Sequence, residues 1–137
     1  MVELLIGKKG TGKTKALIEK VNNALTVAKG NVVFISNDTN RNIFDVKSKA
    51  RMADTSEFEI KSYDEFLGSI SGIISRDFDI TNIFVDGIFK IVGSDNLDGF
   101  ESFLNRLETM SQNFEITFVI SVSIDAETAP DYIKKLA

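Results

Sequence analysis

Val2-Glu3-Leu4-Leu5-Ile6-Gly7-Lys8-Lys9-Gly10-Thr11-Gly12-Lys13-Thr14 is the stretch on which the fold turns. Val2 to Ile6 is a short apolar run ended by a glycine and reads as a buried strand. From Lys13 the period changes. Leu17, Val21, Ala24, Leu25 and Ala28 recur at spacings of three and four, which is one face of a helix. Lys29-Gly30 stops that helix with a cation and a glycine. The segment Gly7 to Thr14 therefore joins a strand to a helix, and it fits the pattern Gly-x-x-x-x-Gly-Lys-Thr. Its glycines allow a tight turn and close approach of the backbone to an anion. The amides of Gly7, Lys8, Lys9, Gly10, Thr11 and Gly12, with those of the first helical turn, point inward. The helix N-terminus adds about half a positive charge. In that arrangement Lys13 reaches β- and γ-phosphates, and the Thr14 hydroxyl ligates Mg²⁺.

Working outward, strand and helix patterns alternate. Asn31 to Ile35 is a second apolar strand, ending in the polar run Ser36 to Asn40. Residues 38–57 are polar and nearly aperiodic, which suggests a loop with a short helix around Ile43 to Val46. Phe58 and Ile60 suggest a short third strand. Ser62-Tyr63-Asp64-Glu65 is a capping box, followed by Phe66, Leu67, Ile70, Ile73 and Ile74 on one helical face. Ile83-Phe84-Val85-Asp86 is an apolar strand closed by an acid. Leu97, Phe100, Leu104 and Leu107 mark a further helix, Ile116 to Val122 a last strand, and Pro130 the first turn of a short final helix. Alternation of this kind means βαβ units. Near-continuous apolar strands fit a sheet covered on both faces. The expected fold is α/β: a single-domain three-layer α/β/α sandwich with a mostly parallel sheet.

Composition narrows the chemistry. The 137 residues contain no cysteine and no histidine. Disulfides, thiol nucleophiles, structural zinc and imidazole acid–base catalysis are excluded together. The net charge of −4 argues against nucleic acid or anionic lipid as a partner. The local basic cluster Lys47, Lys49 and Arg51 reads as a solvated loop. No apolar run approaches the ~18–20 residues that span a bilayer, and Met1-Val2-Glu3 lacks a basic n-region, so no membrane insertion and a cytoplasmic location are expected.

At these motifs the chain resembles the P-loop NTPase superfamily, with the loop as Walker A and Ile83 to Asp86 similar to a Walker B strand. The resemblance makes residues 1–137 one P-loop nucleotide-binding domain. It implies ATP and Mg²⁺ as ligands, with Thr14 and Asp86 as the metal residues and Lys13 and Asp86 in the catalytic set. Many ATPases of this class carry a Glu directly after that Asp to orient the attacking water. Here Gly87 follows. Phe34-Ile35-Ser36-Asn37-Asp38 resembles the segment in which the RecA-like branch places its catalytic carboxylate, which makes Asp38 the candidate base. Ser121 or Ser123, ending the last strand, is a candidate γ-phosphate contact.

The element order is similar to a small RecA-like core of the pilus or secretion type. A homo-oligomer or a protein partner would fit such a core. Three other readings stand beside it. Asp38 and Arg41 are similar to an element of the thymidine kinase family, although Gly87 departs from its catalytic Glu. Gly7, Lys8, Gly10, Gly12, Lys13 and Thr14 resemble the loop of dimerising MinD/ParA-type ATPases, although Lys9 stands where they carry Gly. The missing Glu also fits a nucleotide-responsive regulatory protein without useful turnover.

Overall fold

The computed structural model describes residues 1–37 and 49–137. Strands β1 (Val2–Gly7), β2 (Asn31–Ser36), β3 (Arg51–Asp54), β4 (Ile80–Asp86) and β5 (Thr117–Ser123) form one sheet in the order β1-β5-β4-β2-β3. Every neighbouring pair in it is parallel. The helices are α1 (Lys13–Val27), α2 (Tyr63–Ser75), α3 (Ile88–Val92), α4 (Phe100–Phe114) and α5 (Asp131–Lys134). The expected mostly parallel sheet is thus entirely parallel, and β5 is inserted between β1 and β4.

The continuous apolar strands are explained by two cores. Side chains alternate across a strand. Val33, Ile35, Ile83, Val85, Phe118 and Ile120 join the core formed with α2, α3 and α4. Val32, Phe34, Phe84 and Val119 join the core under α1, with Leu17, Ile18 and Val21. The apolar residues of the inner strands therefore bury on one face or the other, so no polar alternation survives in those strands. Among the described residues no buried side-chain polar atom lacks a hydrogen-bond partner. No helix among them is long and apolar enough to cross a membrane.

Several local readings hold. Ser62 Oγ accepts from the Glu65 amide at 3.1 Å, the serine half of the expected capping box. Pro130 stands at the N-terminal boundary of α5. The third strand is a correction. It lies at Arg51–Asp54, not around Phe58 and Ile60. Thr55 to Ile60 instead make a turn in which the Phe58 amide donates to the Thr55 carbonyl at 3.0 Å, and the Phe58 ring is exposed. Arg51, read as part of a solvated basic loop, opens β3, and its guanidinium lies 2.8 Å from Asp77. The short helix suggested around Ile43 to Val46, and with it Lys47, lies outside the described residues.

Gly30 does more than stop α1. A Cβ at this position would lie 2.0 Å from the carbonyl oxygen of Asp79, which accepts the Asn31 amide at 2.9 Å. Two backbone segments meet there without room for a side chain. Gly68, inside α2, has nothing within 4 Å of its own Cβ position. Gly30→Ala should therefore cost about 1–3 kcal/mol through forced backbone displacement. Gly68→Ala should stabilise by up to about 1 kcal/mol, from helix propensity alone. Denaturant unfolding of the two variants reads both signs. Equal effects would contradict the close approach at Gly30.

Candidate functional site

A parallel sheet directs all its carboxyl ends to one edge, and ligands bind in the crevice outside that edge. The register here aligns Ser36 with Asp86 and Gly7 with Ser123. Lys9, Gly10, Gly12, Lys13, Thr14 and Asp86 line a cleft of about 480 Å³ at this edge. Ser36 and Asn37 from the end of β2, Ser121 and Ser123 from β5, and Gly87, Phe89 and Lys90 complete its walls.

The loop is built as its glycines require. Gly10 and Gly12 have φ of 84° and 89°, the left-handed region that costs a glycine little. Gly12 is the N-cap of α1 and supplies no side-chain cap, and no acid stands in the first turn of that helix. The first-turn amides are left for an external acceptor. The Lys8 carbonyl accepts from Thr11 Oγ1 at 2.7 Å and from Lys13 Nζ at 2.9 Å. This carbonyl ties the loop together and holds the Lys13 ammonium over it. Burial lowers the Lys13 pKa from its ordinary value, with the Asp86 carboxylate opposing that shift. The Lys8 ammonium is 3.6 Å from Asp125 of the same chain, an exposed pair. Of the loop residues expected to bind, Gly7, Lys8 and Thr11 thus shape the turn, while Lys9, Gly10, Gly12, Lys13 and Thr14 face the cleft.

Thr14 and Asp86, far apart in the chain, meet directly. Thr14 Oγ1 donates to Asp86 Oδ1 at 3.1 Å. Ser121, buried at the end of β5, donates to the same Oδ1 at 3.1 Å and accepts the Gly87 amide at 2.7 Å. The Ser121 hydroxyl is therefore committed to Asp86 and Gly87. It positions the acid, while the exposed Ser123 at the strand end lines the cleft. The donors at Thr14 and Asp86 are all oxygen. No group of three or more acidic, histidine or cysteine side chains able to cage a metal occurs among the described residues. That set suits Mg²⁺, which takes one or two protein oxygens and fills its shell with phosphate and water.

Asp38 and Arg41 lie outside the described residues. Asn37, the residue before Asp38, lines the cleft and is 3.3 Å from Thr55 Oγ1. The sequence reading did not single out Phe89 or Lys90. Their only signal is a position on the helical turn that follows Asp86-Gly87.

No protein-family profile and no curated protein matches the chain. Among solved structures, the chain is similar to a KaiC-like protein of the hyperthermophilic archaeon Pyrococcus horikoshii, with a TM-score of 0.69 and 18% identity over 98% of this chain and 67% of that one. At that identity the likeness speaks for the fold alone, a RecA-like α/β fold with a parallel sheet.

The Ser121 bridge carries a stability prediction. Ser121→Ala leaves the Gly87 amide without its acceptor and Asp86 without one of its donors. The expected cost is about 1–3 kcal/mol, read by denaturant unfolding. An unchanged midpoint would mean that Asp86 and Gly87 find other partners.

Proposed function

We propose that the protein binds a nucleoside triphosphate with Mg²⁺ in the cleft at the carboxyl edge of its sheet, as an ATP-binding protein with slow intrinsic hydrolysis. The observation that carries this reading is the contact of Thr14 with Asp86 at 3.1 Å, at the mouth of a loop whose ammonium and helix N-terminus face the same space. Charge supports it. The chain carries −4 overall, yet among the described residues its cleft is lined by three lysines and one carboxylate. ATP is named because the sequence has no Asn-Lys-x-Asp tetrad to read guanine.

Thr14 and Asp86 would hold the metal, and Mg²⁺ when bound neutralises charge on the phosphate oxygens. Lys13 pairs with the terminal phosphates, the first-turn amides of α1 orient them, and Ser121 keeps Asp86 in place. Slow turnover follows from position 87. Gly87 has a φ of 78°, so a glutamate there would carry a strained backbone as well as a charge. No carboxylate follows Asp86 to orient water. Asp38, directly after the cleft residue Asn37, is the acid we propose for what hydrolysis there is. Within the fold, assignment to pilus- or secretion-type ATPases rests on the order of elements alone.

Thermal unfolding tests binding. MgATP at 100 times its dissociation constant adds about 2.7 kcal/mol, a rise of several degrees for a domain of this size. Lys13→Ala should abolish the rise. Asp86→Asn should weaken the Mg²⁺-dependent part more than the metal-free part. A full shift in Lys13→Ala would put the nucleotide elsewhere.

Single-turnover hydrolysis over a range of protein concentrations tests turnover. The expected rate is very slow and falls further in Asp38→Asn. A fast rate, independent of concentration and untouched by Asp38→Asn, would refute both slow hydrolysis and the role of Asp38.

A further inference from the structure

Lys90 stands at the cleft with no role assigned by the loop or by the acid strand. It lies on α3, three residues beyond Gly87, and its amide donates to the Gly87 carbonyl at 3.0 Å. This turn folds the lysine back over the glycine. A Cβ at Gly87 would lie 3.8 Å from Cβ and Cδ of Lys90 and 3.9 Å from its Cγ. Those are ordinary packing distances, so the aliphatic stem crosses the surface where a side chain at position 87 would stand. The same residue lines the cleft with Lys13, Thr14, Asp86 and Ser123. Among the described residues no carboxylate lies within ion-pair distance of its ammonium.

We infer that Lys90 binds the terminal phosphate of the nucleotide and makes the site discriminate triphosphate from diphosphate. The inference rests on the proposed function above and extends it to a residue outside both motifs. Three features carry it. The stem is directed by the helical turn and by the bare Gly87, so the ammonium is delivered to the Asp86 side of the cleft. The proposed function puts the terminal phosphate on that side, where Thr14 and Asp86 meet and where Lys13, next to Thr14, reaches back to the Lys8 carbonyl. The electrostatics also favour a phosphate partner over water. An ammonium beside a ligand with several negative charges forms a charge-assisted hydrogen bond, about twice as strong as a neutral one. The diphosphate lacks the group that Lys90 reaches, so the gain belongs to the triphosphate.

This arrangement gives the chemistry a direction. The position that could carry a water-orienting carboxylate is covered by the aliphatic stem of Lys90. The ammonium beyond it is not a base and does not orient water. The competing role for Lys90 is a helix-end cation, since it stands in the last turn of α3. That role would leave nucleotide affinity unchanged.

The test is calorimetric titration of wild type, Lys90→Ala and Lys90→Arg with MgATP and with MgADP, alongside their unfolding midpoints without nucleotide. Lys90→Ala should bind MgATP about tenfold more weakly and MgADP within about twofold of wild type. Lys90→Arg should recover most of the loss. The midpoints should agree, because the side chain is exposed. Wild type that binds both nucleotides, with Lys90→Ala unchanged or weakened equally for both, overturns this inference alone. Wild type that binds neither overturns the proposed function and this inference with it.

Discussion

The hydrogen bond from Thr14 to Asp86 is the constraint on which the site depends. It joins the first turn of α1 to the end of β4, 72 residues away in the chain. Neither partner could make it from local structure. Thr14 is placed because Gly12 caps α1 in a left-handed conformation, and Asp86 because β4 ends level with β2 and beside β5. With β5 inserted between β1 and β4, Ser121 stands between the loop strand and the acid strand. Its hydroxyl then serves Asp86 and Gly87 together.

Charge placement follows from the same edge. Among the described residues, an acidic chain gathers Lys9, Lys13 and Lys90 around the Asp86 carboxylate at the cleft. Two of these cations come from the loop and one from the turn after the acid strand. The amides of α1 add to them without an acid in the first turn to offset the helix dipole. Among the described lining residues the balance is basic, opposite in sign to the net charge of the chain. At Lys13 burial works the other way, lowering its pKa by desolvation, while the Asp86 carboxylate opposes that shift and favours the ammonium.

The elements that were legible in the sequence are those with long, strongly periodic patterns. β1, β2, β4 and β5 are apolar because both of their faces are buried, and the stripe from Leu17 to Ala28 announces α1. The element misplaced was the shortest strand. Arg51–Asp54 is four residues at the sheet edge, with only Met52 and Ala53 as apolar members. An edge strand gains much of its stability from pairing with β2, which no local pattern encodes. Phe58 and Ile60 gave the period of a strand, yet Phe58 is exposed in a turn, because two alternating apolar residues do not suffice without a partner.

The sequence by itself determined the glycine turn from β1 into α1 and the α/β class. A phosphate loop is a local object: glycine conformational freedom, a helix start and a lysine lie within eight consecutive residues, so spacing alone specifies them. It also marked Asp86, because an apolar strand ending in an acid is a contiguous pattern. Only the tertiary structure decided what stands around them. That Ser121 is committed to Asp86, that Gly30 leaves room for the Asp79 carbonyl, and that Lys90 crosses Gly87 are contacts set by strand register and by the turn of α3. Such contacts depend on which strands are neighbours, and long-range pairing leaves no trace in the local order of residues.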